Sequence, residues 1–226
     1  WFTLLDLKDA FFCIPLDSRS QELFAFEWEN PEMGRRTQYT WTVLPQGFKN
    51  SPTIFGNQLA KELELWRQNN RNGVMLQYVD DILLARNSRE ECLELTISLL
   101  NFLGLSGYRV SKGKAQTAKV TVTYLGFEIL KGQRQLSNER KDAICQLPEP
   151  QNVHELRTFL GIVGWCRLWI VNYGLMAKPL YELLKSSKGP LQWTNESRNA
   201  YIQLKRALMK APALGLPNLE KPFELF

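Results

Sequence analysis

The sequence predicts an α+β fold: strands and helices mix over residues 1–135, and helices alone fill 139–211. Two observations predict it. Short alternating or apolar runs bounded by Gly, Pro and Asn fill the first part, as strands and hairpins require. After Leu136-Ser137-Asn138 the texture changes to four helix-length segments separated by Pro, Asn or Gly.

Residues 1–14 read as a strand entering a helix, with Asp6 where the strand ends. Residues 22–29 contain Leu23-Phe24-Ala25-Phe26-Glu27-Trp28, aromatic-rich and strand-like. Asn30-Pro31-Glu32-Met33-Gly34-Arg35-Arg36 is a turn, and 37–43 alternates polar and apolar residues, completing a β-hairpin. A loop punctuated by Pro45, Gly47 and Pro52 follows. Ile54, Phe55, Leu59, Leu63 and Trp66 then keep helical spacing behind Ser51 as cap and Pro52 in the first turn. Residues 73–85 are apolar on both sides of Asp80-Asp81, a strand–turn–strand pattern. Ser88 caps a helix over 89–103, with Glu91 completing a capping box. Residues 119–130 are strand-like through Val120, Val122, Tyr124, Leu125 and Phe127, and Lys131-Gly132-Gln133 is the turn. The last four helices are expected at 139–147, 153–171, 175–185 and 196–210.

A chain of 226 residues suffices for one large domain or two small ones. Hydrophobic residues at 44% with 23% charged describe an ordinary soluble globular protein. No apolar run has the length of a membrane span, and the N-terminus lacks signal-peptide features. With no initiator Met, the chain reads as an excised piece of something longer. The four cysteines form no C-x-x-C pair, and His154 is the only histidine, which argues against a zinc site. Scattered single cysteines suit a reducing compartment. Residues 105–141 carry eight basic side chains against two acidic ones, an excess of six in a chain whose net charge is +5. That fits a polyanionic partner; a solvated, solubilising face is the alternative.

The chemistry concentrates at Tyr78-Val79-Asp80-Asp81. Adjacent carboxylates at the tip of a buried hairpin repel and call for a counter-charge, most simply a divalent ion. A polar hairpin turn is the plainer alternative, since Asp is common there. Asp6 ends another strand, and neighbouring antiparallel strands could bring it within reach of Asp80 and Asp81. Three carboxylates around two divalent ions, about 3.5–4 Å apart, is the plan of enzymes that displace phosphates in line.

Leu5-Asp6-Leu7-Lys8-Asp9-Ala10-Phe11-Phe12, Leu44-Pro45-Gln46-Gly47-Phe48-Lys49-Asn50-Ser51-Pro52, Gln77-Tyr78-Val79-Asp80-Asp81 and Tyr124-Leu125-Gly126-Phe127 occur in an order and spacing that resemble retroviral reverse transcriptases. Lys131-Gly132-Gln133-Arg134, Phe159-Leu160-Gly161 and Cys166-Arg167-Leu168-Trp169 resemble the gammaretroviral, murine-leukaemia-like branch, as does Ala211-Pro212-Ala213-Leu214-Gly215-Leu216-Pro217. The likeness covers essentially the whole chain. It implies a right-hand polymerase fold: palm at 1–19 and 46–135, an antiparallel sheet with flanking helices. A partial fingers hairpin falls at 20–45, an all-helical thumb at 136–214 and the start of a connection region at 215–226.

The resemblance further implies roles. Asp6, Asp80 and Asp81 are the metal-binding catalytic triad, Asp81 the less direct ligand, and the Leu7 carbonyl adds a ligand to two Mg²⁺ ions, with Mn²⁺ the alternative. Asp9 and Ala10 offer backbone N–H groups to the triphosphate. Phe11 excludes a ribose 2′-hydroxyl, Gln46 meets the nucleotide and template, and Lys114 protonates or attracts the leaving pyrophosphate. Tyr78 and Val79 touch the primer end; Tyr124, Leu125, Gly126 and Phe127 grip it. Gly161 and Trp165 track the duplex minor groove, and Arg157 and Arg167 contact phosphates. The implied partners are an RNA or DNA template with a DNA or RNA primer, deoxynucleoside triphosphates and the rest of a pol polyprotein, and no membrane. The implied location is the cytoplasm or a virus particle. Relatives carry further fingers before Asp6 and a connection region and ribonuclease H after Phe226. An inactive descendant that only binds nucleic acid is the competing reading.

Overall fold

The computed structural model describes residues 1–186 and 190–215. The chain divides into two compact units, Trp1–Val122 and Thr123–Phe226. The expected start of a connection region lies outside the described residues from 216 onward.

The first unit opens with β1 (Phe2–Lys8), a single-turn 3-10 helix at Ala10–Cys13 and α1 (Ser18–Gln21). The hairpin β2 (Phe26–Glu29) and β3 (Arg36–Tyr39) precedes α2 (Ser51–Asn69), β4 (Val74–Tyr78), β5 (Asp81–Ala85) and α3 (Arg89–Leu105). Short strands β6 (Arg109–Val110) and β7 (Gln116–Lys119) complete it. The main sheet runs β4-β5-β1-β6, with β7 also paired to β1, and all its pairings with β1 are antiparallel. Helices α2 and α3 bury Phe55, Leu59, Leu63, Leu95, Leu99 and Leu103 with Leu5, Leu7, Ile82 and Leu84 of the central strands. That spacing is the apolar stripe a helix needs to cover a sheet. Thr3, fully buried in β1, accepts from the Thr96 hydroxyl at 2.9 Å and the Ala118 N–H at 2.9 Å, so its polarity is satisfied.

β8 (Thr121–Tyr124) leads into the second unit, where β9 (Phe127–Leu130) and β10 (Gln133–Leu136) form a hairpin. Helices α4 (Asn138–Cys145), α5 (Val153–Trp165), α6 (Tyr173–Ser186) and α7 (Asn195–Met209) follow, then β11 (Leu214–Gly215) on the edge beside β10. The helices enclose Leu156, Phe159, Leu160, Val163, Ala177, Leu180, Leu204 and Leu208. Ser137, Asn152 and Thr194 accept from backbone N–H groups at the starts of α4, α5 and α7.

The α+β class and the order of the predicted elements match the sequence expectation, which did not anticipate α1, β6, β7, β10 and β11. Among the predicted segments, three differ. Residues 22–24 form a 3-10 turn rather than strand, because β3 ends at Tyr39 and offers 22–25 no partner. The chain after Tyr39 instead returns to 14–16, through Leu16 N–H to Thr42 O (2.9 Å) and Leu44 N–H to Ile14 O (2.9 Å). The strand expected across 119–130 breaks at Leu125-Gly126, where both residues have positive φ. The helix expected over 153–171 stops at Trp165, and a 3-10 turn at Arg167–Trp169 brings both Trp169 and Ile170 into the core. No helix among the described residues is long and apolar enough to cross a membrane.

Candidate active site

Strand pairing places the carboxylates. Asp6 sits opposite Asp81 across β1 and β5, and Asp81 opposite Tyr78 across β5 and β4. A two-residue turn, Val79-Asp80, closes the β4–β5 hairpin, and the Leu7 N–H donates to Asp80 O at 3.0 Å. The tip is thus tied to β1. Val79 has φ 52°, a costly conformation for a β-branched residue. Gln77 holds it there: its amide Nε2 donates to Val79 O (3.2 Å) and to Gly56 O of α2 (3.1 Å).

The three acids share one field. Burial, then the Asp80 and Asp6 carboxylates, push the Asp81 carboxyl above its ordinary range, and Lys114 draws it partly back. Lys114 Nζ lies 3.2 Å from Asp6 Oδ2. Its loop is fixed because the Ser111 N–H donates to Asp6 O at 2.8 Å. A cavity of about 380 Å³ opens here, lined by Asp6, Leu7, Asp9, Ala10, Phe11, Gln46, Asp80 and Lys114, together with Lys8 and Ser111. The structure therefore gathers around one space every residue expected at the nucleotide. The Phe11 ring is braced edge-on by Phe55, centroids 5.8 Å apart. Asp9, exposed and at φ 54°, turns the chain into the 3-10 helix and lets its own O accept from the Phe12 N–H (2.9 Å). Buried Ser51 donates to Pro45 O at 2.7 Å and so fixes the loop that presents exposed Gln46.

The donors at this site, carboxylates and the Leu7 carbonyl, are hard oxygens of the kind Mg²⁺ and Mn²⁺ take. Among the described residues no three acidic, His or Cys side chains stand close enough together to form a finished cation site. The Lys114 ammonium stands where a cation would neutralise Asp6. The residues fit a divalent ion in chemistry, with side-chain adjustment needed to close on it.

In the second unit, Tyr124 is buried and Leu125 is 40% exposed at the break between β8 and β9. The Phe127 ring lies parallel to those of Trp165 (4.4 Å between centroids) and Trp169 (5.1 Å). Arg157, Gly161 and Trp165 form an exposed line along α5, while Leu156, Phe159, Leu160 and Val163 face the core. A Cβ at Gly161 would meet no atom within 4 Å, so this glycine is not a helix-packing contact; Gly164, against the Tyr173 hydroxyl, is. Arg167 is also exposed. In the β2–β3 hairpin, Arg36 is engaged with Glu27 and Glu29 at 3.3 and 3.0 Å. Sequence reasoning missed Gln77 and Ser111, whose roles rest on partners distant in the chain. Arg140 entered it only as one of the basic residues in 105–141.

Residues 1–129 match the family described as reverse transcriptase (RNA-dependent DNA polymerase). The whole chain is 53% identical over 227 residues to the Gag-Pol polyprotein of Feline leukemia virus, covering 13% of that protein. It is 51% identical over 226 residues to the Pol polyprotein of Feline endogenous virus ECE1, covering 22%. Thus the chain spans less than a quarter of the length of these curated relatives. Among solved structures, a foamy viral protease-reverse transcriptase in complex with dsDNA is similar at a TM-score of 0.87 and 31% identity, over 98% of this chain and 44% of that one. The same kind of protein in complex with an RNA/DNA hybrid gives 0.82 and 32%, over 95% of this chain and 28% of that one.

Proposed function

The chain belongs to the reverse transcriptase family, and on that premise we propose that it carries the polymerase centre of an RNA- and DNA-directed DNA polymerase. It would extend a primer 3′-hydroxyl with deoxynucleotides and release pyrophosphate. The observation that carries this reading is the β1–β5 register, which sets Asp6 opposite Asp81 beside the Asp80 turn at the mouth of the nucleotide-sized cavity.

Asp6, Asp80 and the Leu7 carbonyl would hold two Mg²⁺ ions, with Asp81 in a supporting place. Bound there, the ions would acidify the 3′-hydroxyl and offset charge on the leaving pyrophosphate. The protein's own groups do the rest. Phe11, braced by Phe55, is a floor with no room for a 2′-hydroxyl. The backbone N–H groups of Asp9 and Ala10 face the triphosphate, and Gln46 reads its position against the template. Lys114, released from Asp6, brings a positive charge to the phosphates. Tyr78 and Val79 meet the primer end, and the turn at Tyr124-Leu125-Gly126-Phe127 holds it. The exposed line Arg157, Gly161 and Trp165 offers a small residue, a ring and a cation to the duplex backbone and minor groove.

The test is Asp80→Asn in the full-length polymerase polypeptide containing this segment. Primer extension should fall by at least about 100-fold while duplex affinity holds. Extension at the parental rate would refute the triad. A parental protein that binds duplex yet never extends a primer would favour the inactive nucleic-acid binder instead.

A further inference from the structure

We infer that Arg140 is a phosphate-contacting residue for the nucleic-acid duplex, held ready on Trp165 beside the Leu125-Gly126 turn; this rests on the polymerase reading above. The Arg140 guanidinium carbon lies 3.8 Å from the centroid of the Trp165 ring. A Cβ added at Gly126, itself at φ 79°, would collide with Arg140 Nη1. The turn therefore has a glycine where the guanidinium needs the space.

What that guanidinium lacks is an acceptor. Among the described residues its side chain makes no ion pair or hydrogen bond; only the backbone N–H is engaged, to Ser137 Oγ at 3.3 Å. Stacking uses the flat face of a guanidinium and leaves the N–H groups at its edge free. Half-buried, the guanidinium keeps its donors within reach of solvent and so open to an arriving anion. The adjacent Lys141 shows the contrast: it is buried and donates to Ala211 O at 2.9 Å. Arg140 lies instead on Trp165, 41% exposed, with its Nη1 beside Gly126. A planar, pre-stacked fork of donors on an exposed ring suits a phosphodiester, whose oxygens accept in parallel pairs.

The experiment is a salt titration of duplex binding by the full-length polymerase polypeptide, using a labelled DNA duplex and an RNA/DNA hybrid between about 50 and 200 mM salt. Arg140→Ala should make the slope of log affinity against log salt shallower by about 0.9 on DNA, the loss of one phosphate contact. The weakening should be uniform across sequences. Arg140→Lys should retain the parental slope. Arg140→Gln, which keeps the stem and part of the stacking area, should match the alanine variant, and it decides the matter if alanine misfolds. A slope unchanged in Arg140→Gln, whether or not affinity falls, would overturn the assignment and leave Arg140 as a cap on Trp165. Failure of the parental protein to bind either duplex would remove the polymerase reading together with this one; an unchanged slope removes this one alone.

Discussion

Asp81 records the cost of assembling three carboxylates. Its carboxyl is pushed up by burial and by Asp80 and Asp6, so folding favours its protonated form more than the unfolded chain does. The stability linked to this group is therefore fully present below the ordinary value of 3.8 and is lost as pH rises through the higher folded value. At neutral pH without divalent ions, Asp81→Asn should raise Tm by about 2 °C, a size typical of relieving one unfavourable charge. Adding Mg²⁺ should shrink that gain; a variant less stable than the parent in metal-free buffer would contradict the repulsion. Phe11 gives a second residue-level expectation. Because Phe55 braces its ring, removing it opens space rather than inviting collapse. Phe11→Val should raise ribonucleotide use relative to deoxynucleotide use by at least about tenfold, measured by single-nucleotide incorporation. No rise would dismiss the steric role. Asp6, Asp80 and Asp81 were legible in the sequence because charge inside apolar runs is conspicuous without any tertiary information. Gln77 was not, because a glutamine in a strand announces nothing until Gly56 and Val79 are seen to share its amide.

Turns and caps decide how well the elements themselves could be read. Ser88 marked its helix start correctly because N-terminal chemistry is local: its side chain accepts from the Glu91 N–H. Ser51, expected as a cap, is instead the first residue of α2 behind Asn50, and its hydroxyl donates to Pro45 O, a partner outside the helix; only Pro52 in the first turn marked that start. The break at Leu125-Gly126 was hidden because the flanking residues all favour strand, and only positive φ at both positions reveals the turn. The end of the helix at Trp165 was hidden for a related reason: apolar spacing continues past it, while packing of Trp169 and Ile170 needs a tighter turn. The same elements carry two tests. Gln77→Leu removes the bond between the hairpin tip and α2, which should cost about 1 kcal/mol in denaturant unfolding. Its larger effect should be on primer extension, with duplex affinity little changed, since Val79 loses the contact that keeps it at positive φ. Equal losses in both would point to general unfolding instead. Gly126→Ala adds left-handed strain of about 1–2 kcal/mol and displaces the Arg140 guanidinium. It should therefore reproduce the shallower salt slope of the Arg140 variants, which strain alone would not do.

At the scale of the molecule, charge was visible in sequence as a quantity but not as a surface. The eight basic residues of 105–141 fall on both compact units, and their fates differ. Lys141 is spent on a backbone carbonyl inside its unit and Lys114 on Asp6, while Arg140 and Arg134 lie against Trp165 and Trp169. Counting charges thus overstates the number that can meet a polyanion, and it does so because burial and pairing are tertiary facts. The fold class was easier to read than the charge, since periodicity repeats along many residues whereas one ion pair leaves no pattern. If the full-length protein copies any template, as the proposed function requires, its hold on the duplex should be almost wholly on the backbone. Three phosphate contacts, at Arg140, Arg157 and Arg167, would give a slope of magnitude about 2.7 in log affinity against log salt on duplex DNA, at about 0.9 each. The full-length polypeptide should therefore show a slope of at least about that magnitude, nearly the same for unrelated duplex sequences. A slope near zero, or one that changes strongly with sequence, would mean that the basic residues serve solubility and that base edges, not phosphates, hold the nucleic acid.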